Sequence, residues 1–254
     1  VADTLVVNEI YLSLQGESTF AGLPCVFVRL TACPLRCSYC DTAYAFTEGR
    51  RLPLEAVLAE VQRLAAPFRP PAPATPAPPP AAGGPPLPLV ELTGGEPLLQ
   101  PAALPLMRAL ADAGFTVLLE TSGALDIRPV DRRVRRILDL KCPSSGEVER
   151  NYWPNLEDLR PTDEVKFVIG TVEDYAWARA VLERHRLAAL CPVLFSWAAP
   201  LTPAQRDPSL KPVPPGQTPL SRRALAERIL ADALPVRFQV QLHKFIWSPD
   251  QRGV

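Results

Sequence analysis

Short apolar runs recur along the chain at Leu5–Leu14, Cys25–Leu30, Leu87–Leu92, Phe115–Glu120, Arg136–Leu140, Glu164–Ile169, Ala189–Phe195 and Arg237–Leu242, and each predicts a β-strand. Four intervening segments, Leu54–Ala65, Ala102–Ala113, Val172–His185 and Ser221–Ala233, follow a helical pattern. Several strand runs are apolar throughout, as a strand buried on both faces by crossover helices requires. The alternation predicts an α/β fold on a mostly parallel sheet or barrel, open or closed. No internal repeat interrupts it.

Polar residues collect just after these runs: Arg29 and Thr31, "TGGE" from Thr93, "ETSG" from Glu120, "DLK" from Asp139, Ser196, and His243–Lys244. In parallel α/β folds functional groups gather at the carboxyl ends of strands. Loop starts are polar in any protein; the recurrence at six strand ends is what carries weight.

The chain has 254 residues with 27 basic and 27 acidic side chains, a balance that points to neither a nucleic acid nor a membrane surface as partner. No apolar run reaches the roughly 18–20 residues needed to span a bilayer. The opening "VADTLVVNEIYLSL" lacks a charged segment followed by an apolar one. The expectation is a cytoplasmic protein made of one domain, 1–254. Of its 31 prolines, 11 fall in Pro67–Pro88, which reads as an extended surface insertion, and Pro200–Pro219 reads as a second surface loop.

Three of the six cysteines stand together in "CPLRCSYCDT", as Cys33, Cys37 and Cys40. Cys25 and Cys191 sit in strand-like apolar runs and read as core residues. A structural zinc site normally takes four ligands, and cubane iron–sulfur clusters commonly take four thiolates. Three thiolates leave one iron with an open position that a small molecule can fill. The alternative, a zinc site completed by Cys142, stays open at this point.

The C-x3-C-x2-C spacing with an aromatic residue before the last cysteine resembles the signature of the radical S-adenosylmethionine (SAM) superfamily, and "LTGGEP" at Leu92–Pro97 resembles its glycine-rich motif. "YLSLQGES" at Tyr11–Ser18, Arg29 in "VFVRL", "CDT" at Cys40–Thr42, "ETSG" and "LHKF" together resemble the 7-carboxy-7-deazaguanine synthases. The resemblance implies a partial (βα) barrel of about six mostly parallel strands, a homodimer, and an external flavodoxin- or ferredoxin-type reductant. It implies a ring contraction of 6-carboxy-5,6,7,8-tetrahydropterin to 7-carboxy-7-deazaguanine with loss of ammonia, initiated by a 5′-deoxyadenosyl radical from SAM. The implied ligands of the [4Fe-4S] cluster are Cys33, Cys37 and Cys40. SAM is implied beside Tyr39, Cys40, Asp41 and Gly95, with Ser122, Asp139 and Lys141 for its carboxylate and ribose. Lys141 reads equally as a solvated loop lysine.

For the substrate, the resemblance implies Leu14, Gln15 and Gly16 at the pyrimidinone edge, Glu17 at the guanidine-like N–H groups, and Arg29 as a carboxylate fork, with Thr93 and His243. It also implies Mg2+ at Thr42, whose alternative reading is a turn threonine capping the next segment. The sequence departs from the expected pattern in "QGES" for "QGEG", which puts Ser18 where a glycine is expected, and in the "SPDQRGV" that follows "LHKFIW". Two other readings remain: an activase that installs a glycyl radical on a partner, and a non-catalytic iron–sulfur or zinc protein.

Overall fold

The computed structural model describes residues 4–68 and 84–254. Most of the first proline-rich insertion, residues 69–83, lies outside the described residues. One nine-stranded sheet runs β3-β1-β2-β4-β5-β6-β7-β8-β9. Its strands are β1 (Thr4–Leu14), β2 (Pro24–Leu30), β3 (Arg50–Pro53), β4 (Leu89–Gly94), β5 (Val117–Thr121), β6 (Arg135–Leu140), β7 (Glu164–Ile169), β8 (Val193–Trp197) and β9 (Arg237–Gln239). From β2 onward the pairings β2·β4 through β8·β9 are all parallel, whereas β1 runs antiparallel to both β2 and β3.

The parallel part therefore holds seven strands rather than about six, because the short β9 extends it. All eight predicted strands are present, Glu164–Ile169 with both ends as expected and the others with shifted ends; the run at Ala189–Phe195 starts later, since Leu187–Ala189 forms a 3-10 turn. The short β3, "RRLP", carries no apolar pattern and owes its place to pairing with the start of β1.

The four predicted helices are α1 (Leu54–Ala65), α2 (Ala103–Asp112), α3 (Val172–Arg184) and α4 (Arg222–Ala231), and a single-turn α5 (His243–Ile246) follows β9. Thr171 and Asp174 cap α3 reciprocally, and the Ser221 hydroxyl accepts from the Ala224 amide at the start of α4.

Alternate strand residues point to opposite faces. On the outer face, Val26, Val28, Leu30, Val90, Leu92, Val117 and Leu119 bury Val57 and Val61 of α1 and Leu106 and Leu110 of α2. A second outer cluster sets Leu138, Leu140, Val165, Phe167 and Phe195 against Tyr175 and Leu182 of α3 and Leu225 of α4. The inner face is apolar only at its base, where Cys25, Phe27, Leu89, Leu118 and Ile137 meet. Two residues further along each strand it becomes charged, and there the cavity opens.

Candidate functional site

A cavity of about 570 Å³ lies at the carboxyl ends of the parallel strands. Every site residue read from the sequence lines it: the three cysteines, Tyr39, Asp41, Thr42, Leu14 to Glu17, Arg29, Thr93, Gly95, Ser122, Asp139, Lys141 and His243. Residues from nearly the whole chain length thus converge on one volume.

The cysteine loop is held from three sides. Ser38 donates from its amide to Ser145 O at 3.0 Å and from its hydroxyl to Ser144 O at 2.6 Å. That serine turn is fixed in turn by Asp174, which accepts from the Ser144 amide and hydroxyl at the start of α3. On a second side, the Arg36 amide donates to Glu147 at 2.7 Å, and the Lys211 amide donates to Arg36 O at 2.9 Å. On the third, the amides of Gly95 and Glu96 donate to Leu30 O and Ala32 O at 3.0 and 2.8 Å. A Cβ on Gly94 would collide with the Leu30 backbone and one on Gly95 with the Ala32 carbonyl. The glycine pair is therefore needed to seat the end of β4 against the cysteine loop, besides any approach to a ligand.

The donor set fits an iron–sulfur cluster with an open position. All three thiols face the cavity, whereas Cys142, with the outward-facing parity of Leu138 and Leu140, is fully buried in the outer core. The zinc reading with Cys142 as fourth ligand is thereby excluded. Burial holds the Cys33 thiol above its ordinary range and pushes Cys37 to about 11 and Cys40 to about 12, so a bound cluster must displace protons from these thiols. Two buried oxygens at the cavity, Tyr39 Oη and Asp139 Oδ1, have no hydrogen-bond partner among the described residues. Buried polar atoms are normally paired, and a ligand with hydroxyl and amine donors, as SAM has, would satisfy the carboxylate oxygen.

Lys141 is no solvated lysine: it is 8% exposed and its Nζ lies 2.8 Å from Asp139. Burial disfavours its charge, but Asp139 and the Cys37 sulfur raise its affinity for the proton. Ser122 lines the cavity while donating its hydroxyl to Glu96 at 2.5 Å. Glu96 itself is fully buried and also accepts from the Ser122 amide, the Thr121 hydroxyl and the Leu98 amide. It couples the glycine motif to the end of β5.

Arg29 is committed on two edges, with Nε 2.7 Å from Glu9 and one terminal nitrogen 2.7 Å from Tyr11 Oη. Thr42 donates its hydroxyl to Asp41 at 2.9 Å and makes no capping bond to the following turn. Asp41 is gripped by Lys244 at 2.6 Å, which with Thr42 holds its carboxyl well below the usual range although burial opposes this. Burial lowers the pKa of His243, favouring the neutral imidazole. Ser18 adopts φ +63°, so the loop keeps the left-handed conformation that the expected glycine would take freely.

Sequence reasoning left Glu91, Glu120 and Lys166 unassigned, yet all three line the cavity on the inner face. Lys166 Nζ contacts Glu17 at 3.0 Å and Glu120 more closely. Burial pushes Glu120 up to about 7 against the opposing pull of Lys166. Burial, with Glu120 nearby, pushes Glu91 well above its ordinary 4.5. Folding then retains a proton that the unfolded chain releases, and this carboxyl's contribution to stability falls as pH rises above about 4.5. Glu91→Gln is expected to match wild type near about pH 4 and to become progressively more stable than it towards about pH 8, in urea unfolding measured across that range.

Two segments given no role in the site from sequence reach it. Ala204 to Asp207, within the second proline-rich loop, line the cavity mouth, and so do Pro249 to Val254. Gln205 donates to Pro249 O at 2.8 Å, and Arg252 pairs with Glu48 at 2.6 Å while lying 3.9 Å from the Tyr44 ring centroid.

No family model matches the chain. It is 42% identical over 250 residues to a 7-carboxy-7-deazaguanine synthase of Koribacter versatilis, covering 98% of this chain and 99% of that one. It is 39% identical over 253 residues to the enzyme of the same name from Chlorobaculum tepidum, covering 98% and 97%. The fold matches the crystal structure of QueE from Escherichia coli with a TM-score of 0.59 at 22% identity, over 94% and 95% of the two chains. Streptococcus suis SuiB bound to S-adenosylmethionine matches with a TM-score of 0.52 at 12% identity, over 83% of this chain and 48% of that one. With full-length relatives at this level of identity and its motifs gathered round one cavity, the chain belongs to the 7-carboxy-7-deazaguanine synthases, enzymes of the radical SAM type.

Proposed function

We propose that this protein converts 6-carboxy-5,6,7,8-tetrahydropterin to 7-carboxy-7-deazaguanine with release of ammonia, as a carbon–nitrogen lyase in queuosine or other 7-deazapurine biosynthesis. The observation that carries the reading is the opening of three cysteine thiols, the glycine motif and a polar inner sheet face onto a single cavity. Cys33, Cys37 and Cys40 hold the [4Fe-4S] cluster, which with SAM supplies one-electron radical chemistry when bound. Tyr39, Asp41 and the Gly95 backbone flank SAM; Asp139 offers its unpaired oxygen to a donor, and Lys141 a cation to a carboxylate. Ser122 acts mainly by holding Glu96.

Gln15, Gly16 and Glu17 take the pyrimidinone edge, and Arg29 presents its remaining N–H groups to the substrate carboxylate, beside Thr93 and His243. Thr42 offers hydroxyl lone pairs to Mg2+, an ion that keeps few protein ligands and fills the rest with water or substrate oxygens. The reductant is a flavodoxin- or ferredoxin-type protein, the assembly a homodimer and the compartment the cytoplasm; among the described residues no helix is long and apolar enough to cross a membrane.

The test is anaerobic reconstitution with iron and sulfide, followed by dithionite, SAM, Mg2+ and the pterin. The expected result is a brown protein that forms 7-carboxy-7-deazaguanine. A brown protein that cleaves SAM yet leaves the pterin intact would favour the activase reading, and a colourless zinc protein the non-catalytic one. Thr42→Ala is expected to weaken the Mg2+ response; an unchanged Mg2+ dependence and rate removes that ligand. A Cβ on Gly16 would stand 2.6 Å from His243 Nδ1, so Gly16→Ala is expected to displace the ring and raise the pterin KM by roughly tenfold or more.

A further inference from the structure

Lys166 stands on the inner face of β7 with its side chain 6% exposed. Carboxylates from three separate elements converge on its Nζ: Glu17 from the loop after β1 at 3.0 Å, Glu120 from β5, and Asp139 from β6 at 3.7 Å. Asp139 has a second cation, since Lys141 Nζ approaches it to 2.8 Å. Glu17 and Glu120 find no other lysine or arginine among the described ion pairs. Below them Glu91 adds a further carboxyl, bonded to the Gln15 side chain, whose Oε1 accepts from the Glu17 amide at 2.7 Å. Glu164, on the same face of β7, is occupied by the Thr19 amide and hydroxyl.

We propose that Lys166 is a positioning residue for substrate recognition, which keeps Glu17 and Glu120 ionised and aimed as a pair of acceptors for the N–H groups of the pterin ring. The proposal rests on the pterin reading and extends it to two residues that the sequence motifs do not assign. Its physics is charge balance in a closed site. Two neighbouring carboxylates without a cation between them cannot both stay ionised when buried. The electrostatics agree: Glu17 is held below its ordinary value against its burial, chiefly by Lys166. Glu120, already raised to about 7, is kept from rising further by the same lysine. Without Lys166 one of the two takes up a proton near neutral pH, and a carboxylate acceptor becomes a carboxylic acid facing a ligand rich in donors. Raising the pH removes that proton again.

The test measures binding of 6-carboxy-5,6,7,8-tetrahydropterin by calorimetry, with cluster-loaded protein, SAM and Mg2+ but no reductant, between about pH 7 and pH 9. Lys166→Met is expected to bind roughly tenfold or more weakly at pH 7, the size of one lost hydrogen bond to a charged group. The deficit should narrow as the pH rises towards about 9, whereas wild-type affinity, set by Glu120 ionising near about pH 7, should level off first. SAM affinity should hold in the variant, because Lys141 still pairs Asp139. A purely structural lysine would lower the melting temperature without giving a pH-dependent affinity.

The double variant Lys166→Met/Glu120→Gln removes one charge of each sign and guards against simple misfolding. It should bind weakly at every pH, with no recovery. The proposal is overturned if Lys166→Met shows the wild-type affinity and pH profile, or if the double variant binds as wild type or recovers with pH. Turnover of the pterin by wild type, assayed separately, keeps failure of this proposal distinct from failure of the reaction assignment.

Discussion

Cys37→Ala is expected to abolish product formation and leave the reconstituted protein without its brown chromophore. A cubane held by three protein thiolates has no spare ligand, so losing one removes the cluster or leaves it labile. The fold should survive. Among the described residues Cys37 makes no long-range side-chain hydrogen bond, and the loop around it is fixed by Ser38, Arg36 and the Gly95–Glu96 amides, none of which the substitution touches. Iron content, visible absorption and melting temperature of the variant separate the two effects. A Cys37→Ala protein that keeps both chromophore and turnover would show that the ligand set is wrong. One that unfolds would show that the loop depends on the metal for its shape.

Glu96→Ala should destabilise the fold by roughly 3 kcal/mol or more. The carboxylate is fully buried and gathers the Thr121 hydroxyl, the Ser122 amide and hydroxyl, and the Leu98 amide. Its removal leaves several buried donors without an acceptor, each costing about 1–3 kcal/mol in part offset by relaxation and water. The same change frees the end of β4 from the end of β5, so SAM affinity should fall together with stability. Urea unfolding gives the first quantity and calorimetric titration with SAM the second. A loss below about 1 kcal/mol would mean that the donors find other partners.

Much of this site could be read from the chain because its chemistry sits in contiguous motifs. CPLRCSYCDT, SLQGE and TGGEP each bring their own residues to the cavity. The fold class followed from the same economy: outward-facing Val, Leu and Ile define the strands, and four amphipathic segments supply their cover. What escaped notice was the inner face. Glu91 in "LVELTG" and Lys166 in "EVKFVI" are charges inside apolar strands, and Glu120 in "VLLET" was marked only as the start of "ETSG", with no role of its own. Arg29 drew attention for being a charge on an apolar strand, and the same signal applied evenly would have found Glu91 and Lys166.

Their partners could not be paired from sequence, since Glu17 and Lys166 lie 149 positions apart. The second proline-rich loop was expected to cross the surface as spacer. Lys211 instead reaches back to Arg36 and Glu147, because proline fixes local conformation but leaves the other residues of a loop free to bond elsewhere. The short β3 and α5 escaped detection for another reason: four residues hold too little pattern to register.

The sheet never closes upon itself, and the seam between its last strand and the loop after β1 is stitched by few threads. Gln239 donates to Ser18 O, Gln241 to Glu17, and the Leu242 amide to Gly16 O. Each of these can let go without unpairing a single strand. That flank is therefore held by side-chain and loop bonds rather than by strand pairing, and Gly16 and Glu17, proposed above for the pterin edge, are among the residues that fasten it. A pterin seated on Glu17 would share that carboxylate with Gln241, so the seam and the proposed substrate edge draw on one acceptor.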